Sequence, residues 1–367
     1  MSGKINLAIL FGGQSCEHAV SVVSARSVLE AVDKEKYQLI LIGITEEGQW
    51  QYAPQGDFES LIQNKKVKPG AGLKIAPDLG KSGRFVTLSD AGIEVPKIDV
   101  AFPVLHGTFG EDGVVQGLLE LADVAYVGCP LSAAACGMDK VIAKRLFDDA
   151  DIPQADHVLV LAKQWTTASS AQLDRCDSKL RYPLFIKPAS LGSSVGISKA
   201  HTRTELQIAI EHALEFDEKV LVESSFEDCA EVECAVLGND EPEASVVGEI
   251  VAGAEFYDYE AKYLSDVSET HIPADISKES AERVRELSIK AFQAILGKGL
   301  SRVDFFVSRK TGEVWLNEIN TMPGFTPISM YPKLWQASDL PYAKLIDKLV
   351  QLADERHVIK KNLKRSY

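Results

Sequence analysis

The sequence predicts an α/β domain on an open parallel sheet, followed by antiparallel sheets with helices packed against them, an α/β plus α+β chain. Three observations carry this reading. Strands and helices alternate through the N-terminal third, and from about Leu131 the pattern changes to strands with intervening helices. Third, Phe305 to Leu316 reads as a β-hairpin, apolar on both arms, with Lys310-Thr311-Gly312 at its tip. At 367 residues the chain has room for two or three domains of roughly 100–200 residues each.

In order, Ile5 to Phe11 is an apolar run and hence a buried strand, followed by Gly12-Gly13 and a helix from about Ser15 to Val32. Tyr37 to Thr45 and Ile98 to Leu105 are the next clear strands, Val114 to Ala122 a helix, and Ala125-Tyr126-Val127 a short strand. Residues 47–95, with their Gly, Pro, Lys and Asp clusters, show no readable period. A helix with Met138-Asp139-Lys140 near its start runs to Asp149, where Asp151-Ile152-Pro153 breaks it. Strands follow at His157–Leu161, Leu184–Lys187 and Val195–Ser198, then a helix over Thr202–Leu214 and a strand over Lys219–Glu223. Strands Val232–Leu237 and Ala244–Ile250 precede a long polar and aromatic loop. A helix from about Ser277 to Leu296 has Gly297 as its stop, and a last helix begins at Pro341, its basic tail fraying from Lys360.

Composition is that of an ordinary globular protein, 46% hydrophobic and 25% charged. The formal charge of -14 argues against a general binder of nucleic acid or anionic membrane, so a phosphate ligand needs a local basic pocket. No window approaches a transmembrane run, and Met1-Ser2-Gly3-Lys4 leads into a strand rather than a signal peptide. The six cysteines form no CxxC pair and no metal spacing with the seven histidines, as in a reduced, cytoplasmic compartment.

Chemistry concentrates in a few stretches. With the hairpin centred on Thr311, Arg302 lies opposite Asn320, Asp304 opposite Glu318 and Phe306 opposite Leu316, and all six project from one face. Directly opposed carboxylates repel, so a cation belongs between them. Two carboxylates and an amide oxygen suit magnesium that keeps waters or substrate phosphates. The plainer reading is a solvated edge hairpin. Lys187-Pro188-Ala189-Ser190-Leu191-Gly192-Ser193-Ser194-Val195-Gly196 joins two strands without being a Walker loop. It is either a glycine-rich turn or, with Lys140, a cradle for nucleotide triphosphate. Gly12-Gly13 with Glu17, and Leu105-His106-Gly107 through Glu111-Asp112-Gly113, end two strands of the first sheet, the edge where ligands bind in open α/β domains. Glu255 to Asp266, with three tyrosines and Lys262, suits a lid over a reacting phosphoryl group.

Together these motifs, with Tyr257 to Tyr263, Arg302-Val303-Asp304 and Asn317-Glu318-Ile319-Asn320-Thr321 to Pro323-Gly324-Phe325-Thr326, resemble the D-alanine–D-alanine ligase family of the ATP-grasp superfamily over nearly the whole chain. The resemblance implies three domains: 1–128, a substrate domain; 129–222, a central domain with the phosphate loop; and 223–367, a domain with lid and metal site. ATP would be clamped between the last two. It implies that Lys140, Lys187, Lys262 and Ser194 contact ATP phosphates, that Glu223 and Glu231 serve adenine and ribose, and that Asp304, Glu318 and Asn320 hold two magnesium ions, manganese being acceptable.

Glu17, with Ser193 and Tyr263, would hold the first D-alanine's ammonium, and His106 would sit by its carboxylate. Arg302 and the Gly324 N–H would stabilise the oxyanion, and Ser329 with the Met330 N–H would take the second alanine's carboxylate. The implied product is D-alanyl-D-alanine for peptidoglycan precursors, made through an acylphosphate with release of ADP and phosphate by a cytoplasmic homodimer. The segment Phe226 to Ala230 departs from the family pattern, being one residue longer and lacking the usual glycine, which leaves the ribose ligand around Glu231 open. A D-alanine–D-lactate ligase shares the fold, and residue 263 discriminates, tyrosine accompanying dipeptide synthesis. A more distant ATP-grasp carboxylate–amine ligase, which the N-terminal turns disfavour, and a non-catalytic nucleotide-binding module are the other rivals.

Overall fold

The structure, a computed structural model, describes residues 3–89, 92–251 and 269–364. The N-terminal part contains β1 (Ile5–Gly12), α1 (His18–Ala31), β2 (Tyr37–Ile44), β3 (Trp50–Tyr52), a small hairpin of β4 (Ile62–Gln63) and β5 (Lys66–Val67), β6 (Leu73–Pro77), β7 (Phe85–Thr87), β8 (Val100–Pro103), α2 (Val114–Leu121) and β9 (Ala125–Tyr126). Their sheet has the order β7-β6-β3-β2-β1-β8-β9. β2, β1, β8 and β9 run parallel, as expected. β3, β6 and β7 extend the sheet antiparallel, an addition supplied by residues 47–95. Strands of three to five residues are too short for an alternating pattern to register in sequence. Leu7 to Phe11 are fully buried in the middle of this sheet.

The central part holds α3 (Leu131–Met138), α4 (Lys140–Asp149), β10 (His157–Leu161), α5 (Ala162–Lys179), β11 (Leu184–Pro188), β12 (Ser198–Ala200), α6 (Arg203–Ala213) and β13 (Lys219–Ser224), with an antiparallel sheet of order β10-β13-β11-β12. Asp139 caps α4, its Oδ1 accepting from the N–H groups of Val141 (3.0 Å) and Ile142 (3.1 Å), which places Lys140 in the first turn. The sequence reading lacks α5. That helix buries only Trp165, Leu173 and Cys176 and is broken at Ala168, so it carries no regular apolar stripe. β12 starts at Ser198 rather than Val195, which lengthens the glycine-serine loop.

The C-terminal part comprises β14 (Cys229–Gly238), β15 (Glu243–Val251), β16 (Glu269–His271), α7 (Lys278–Ala294), β17 (Gly299–Ser308), β18 (Val314–Asn320), α8 (Met330–Ala337) and α9 (Tyr342–Lys361). Its antiparallel sheet has the order β16-β15-β14-β17-β18. α7 buries Val284, Leu287 and Ala291 against one face. At its end Leu296, not Gly297, takes the left-handed conformation (φ 57°). Gly297 is needed instead for space, since a Cβ there would stand 2.4 Å from the Phe292 ring.

The hairpin register departs from expectation at one point. Arg302 pairs with Asn320 and Asp304 with Glu318, but the register then shifts, and Phe305 rather than Phe306 faces Leu316. The extra residue is Asn317, a β-bulge. It turns Leu316 into the core with Phe305, leaving Phe306 opposite Trp315, on which Phe226 stacks at 4.4 Å. The basic end of α9 is also ordered. Arg356 donates to the carbonyls of Gly128 (2.6 Å) and Tyr126 (2.8 Å), and Lys360 pairs with Glu120 at 2.5 Å, tying the C-terminal helix to the first sheet. No described helix is long and apolar enough to cross a membrane.

Candidate active site

The three sheets meet around a cavity of about 280 Å³. One wall is the end of the N-terminal sheet. Gly12 and Gly13 both have positive φ, and a Cβ on Gly12 would lie 2.2 Å from the Ile44 carbonyl oxygen, so the turn that delivers Glu17 requires glycine there. Glu17 is buried at the N-cap of α1. The Ser193 hydroxyl donates to its carboxylate across 176 residues of sequence. Ser193 and Ser194 both adopt positive φ (51° and 59°), a conformation serine seldom takes, as the loop bends to bring Ser193 in.

His106 is buried on the same wall. The Phe325 N–H donates to Ser24 Oγ (3.3 Å), the Ser24 hydroxyl lies 3.0 Å from His106 Nε2, and His106 Nδ1 lies 3.2 Å from the Met322 carbonyl. This network assigns a neutral ring, with the proton on Nδ1. Burial first, with Arg302 adding, pushes the imidazole down to about 4. Its two nitrogens thereby fasten the loop carrying Gly324. Burial, and then Glu17, raise the Glu111 carboxyl well above the usual carboxylate range, although the Gly107 N–H donates to it at 2.8 Å.

The floor is the hairpin. Arg302 grips Asp304 with a two-pronged fork, Nε to Oδ1 at 2.7 Å and Nη2 to Oδ2 at 2.6 Å, and Asn320 Nδ2 donates to Asp304 Oδ2 at 3.0 Å. Lys140 Nζ donates to the Leu191 carbonyl at 2.7 Å and stands 3.6 Å from Glu318 Oε2. Among the described residues no three His, Cys, Asp or Glu side chains converge to hold a metal by themselves. Two facing carboxylates and one amide oxygen are hard donors, and that set fits magnesium completed by water and phosphate oxygens. Gly324, Ser329 and Met330 also line the cavity; Ser329 stands at the N-cap position of α8, and its Oγ accepts from the Thr326 N–H at 3.0 Å.

Lys187 donates to the bulged Asn317 Oδ1 (3.1 Å) and pairs with Glu223 Oε2 (2.7 Å). The second Glu223 oxygen pairs with Lys144 at 2.6 Å. Sequence reasoning missed Lys144, which is 2% exposed. The available signal was a cation in the apolar stripe Val141, Lys144, Phe147 of α4. Burial alone would raise Glu223, but Lys144 and Lys187 overcome it and hold its carboxyl at about 2. The same carboxylate raises Lys187 despite the opposing effect of its burial. Glu231 lines the cavity beside Glu233, which the sequence reading passed over. Ser194 lies on the glycine-serine loop next to Ser193. Lys262 and Tyr263 fall outside the described residues.

Known proteins resemble this chain over its length. The D-ala D-ala ligase N-terminus family model matches residues 6–129, and the D-ala D-ala ligase C-terminus model matches residues 146–351. The D-alanine--D-alanine ligase of Acetivibrio thermocellus is 46% identical over 97% of this chain and 98% of its own, and that of Ruminiclostridium cellulolyticum 48% identical over 96% of each. Among solved structures, the D-alanine-D-alanine ligase of Coxiella burnetii superposes with a TM-score of 0.85 at 35% identity, covering 98% of this chain and 96% of that one. The VanG D-Ala:D-Ser ligase of Enterococcus faecalis gives 0.85 at 36% identity, covering 96% and 100%.

Proposed function

The chain belongs to the D-alanine–D-alanine ligase family, and from that premise we propose how its residues divide the reaction. It is an ATP-dependent ligase that joins two D-alanine molecules for peptidoglycan precursors, with use of a divalent metal. The observation that carries the division of roles is a cavity shared by the Glu17–Ser193 pair on one wall and Arg302, Asp304 and Glu318 on its floor.

Glu17 and Ser193 hold the first D-alanine's ammonium, with Tyr263 contributing on the strength of the family resemblance. His106 acts by fixing the Met322–Phe325 loop beside that alanine's carboxylate. The carboxylate attacks the γ-phosphoryl group, giving an acylphosphate and ADP. Lys140, Lys187, Ser194 and Lys262 take the phosphates, and Glu223 and Glu231 the nucleoside end. Asp304, Glu318 and Asn320 would hold two magnesium ions, which would neutralise the spreading phosphoryl charge. The second D-alanine, its carboxylate at Ser329 and the Met330 N–H, attacks the acylphosphate through its deprotonated amine. Arg302 and the Gly324 N–H receive the resulting oxyanion, which collapses as the acyl–oxygen bond to phosphate breaks, giving the dipeptide and phosphate, the leaving phosphate taking up the proton the amine nitrogen loses.

The units 1–128, 129–222 and 223–367 are taken as domains, supported by one main sheet within each. A cytoplasmic homodimer completes the reading. The exposed Val114 and Leu121 of α2, with Leu131 beside them, are an apolar stripe suited to a second copy. Sedimentation equilibrium should give twice the chain mass for the native enzyme and the single-chain mass for Leu121→Glu.

ADP release on mixing with magnesium, ATP and a panel of D-alanine, D-serine and D-lactate tests the activity. D-Alanine alone should support turnover and give the dipeptide by mass spectrometry. A hydroxy acid as the preferred second substrate, or no ADP at all, would favour one of the rivals. Lys187→Met should weaken ATP by ~1.5–3 kcal/mol, roughly one to two decades, and leave D-alanine nearly untouched, because a lysine meets phosphate as a point charge. Equal weakening of both would mark a structural lysine.

A further inference from the structure

Glu233 is a buried acid on the cavity floor to which the roles above give no work. It stands opposite Asp304 in the β14–β17 register, and Asp304 stands opposite Glu318, so three carboxylates form a row across three strands. Like charges in such a row require cations among them. Arg302 supplies one. Its Nε lies 3.0 Å from Glu233 Oε2, but the single Nε hydrogen points to Asp304 Oδ1 at 2.7 Å, so the contact with Glu233 is ionic and side-on.

Asp304 is crowded. Its two oxygens accept from Arg302 Nε, Arg302 Nη2 and Asn320 Nδ2. An ionised carboxylate offers about four lone-pair sites, so three are taken. A divalent cation at Asp304 needs those sites and repels a guanidinium a few ångströms away. The Arg302 fork and the metal therefore compete for one carboxylate. Once Asp304 turns to the metal, Arg302 must keep another anion or leave the floor, and Glu233 is already in contact with it. Resting on the assignment of Asp304 and Arg302 made above, we propose that Glu233 is a positioning residue that holds Arg302 in the cavity while Asp304 ligates the metal. Glu233 is buried and Arg302 only partly exposed, so the pair is weakly screened by salt.

The test is a double-mutant cycle read by manganese binding rather than turnover. Free Mn2+ is measured by electron paramagnetic resonance in the presence of ADP, for native enzyme, Glu233→Gln, Arg302→Gln and the double variant. Glu233→Gln should weaken Mn2+ about tenfold, because Arg302 then stays on Asp304, and in the Arg302→Gln background the same change should cost less than about twofold. Glu233→Asp should recover part of the loss. ADP affinity, followed with a fluorescent analogue, reports that each variant is folded. Equal weakening in both backgrounds would show Glu233 acting directly on the metal by its charge, and no weakening would show that it holds nothing; either result overturns the proposal. If Asp304→Asn leaves Mn2+ binding unchanged, the metal assignment itself has failed and the proposal falls with it.

Discussion

The Glu318→Gln enzyme is expected to lose at least a hundredfold in ADP release while unfolding close to the wild-type temperature. Glu318 faces Asp304 across the hairpin, and the two carboxylates are the charged part of the proposed metal site. An ion that neutralises phosphoryl charge is worth several kcal/mol in the transition state, and two decades of rate correspond to about 2.7 kcal/mol. Stability responds differently. The substitution loses the Lys140 contact at 3.6 Å, a partly exposed pair worth about 0–1 kcal/mol, but also removes the repulsion from Asp304. A magnesium titration of turnover alongside thermal denaturation separates the two effects. Near-native turnover at ordinary magnesium concentrations would mean the metal lies elsewhere.

Acid should dismantle the Lys144–Glu223–Lys187 pairing, and the effect on stability should be large. Glu223 is buried, and the two lysines hold its carboxyl at about 2 against 4.5 for an unperturbed glutamate. A carboxyl depressed in the folded state contributes stability that is present above the unfolded pKa and lost as pH falls through the folded one. The window here is therefore about 4.5 down to 2. At 1.36 kcal/mol per pKa unit the contribution at neutral pH is about 3 kcal/mol. Glu223→Gln forfeits it and also leaves Lys144 and Lys187 buried without their anion. Urea unfolding should show the variant less stable by about 3 kcal/mol or more at pH 7, with the gap narrowing steadily below pH ~4.5. A gap as wide at pH 3 as at pH 7 would show that charge pairing is not what Glu223 contributes.

Much of the site was legible in the chain because the relevant signals are local. Strand alternation places Asp304 and Glu318 on one face, Met138-Asp139-Lys140 marks the start of a helix and so places Lys140 near it, and two glycines in succession mark the turn that delivers Glu17. The centre of the first sheet followed from the continuous apolar runs of β1 and β2, of the kind a doubly covered parallel sheet requires.

Other features were decided only by tertiary packing. The bulge at Asn317 cannot be read from the period of β18; it exists because Leu316 must enter the core behind Phe305, and it is what presents Asn317 to Lys187. Lys144 is a cation in an apolar stripe with no visible partner until β13 brings Glu223 to it, and Glu233 looks like any strand acid until β17 lays Arg302 alongside. Ser193 meets Glu17 only because the glycine-serine loop folds back onto the first sheet. The helix α5 has no stripe to announce it and is held by the sheet it covers. A sequence period records a residue's neighbours on its own element. Which charge or core face lies across from it is settled by long-range packing, where burying apolar surface outweighs the entropy of closing the loops between distant segments.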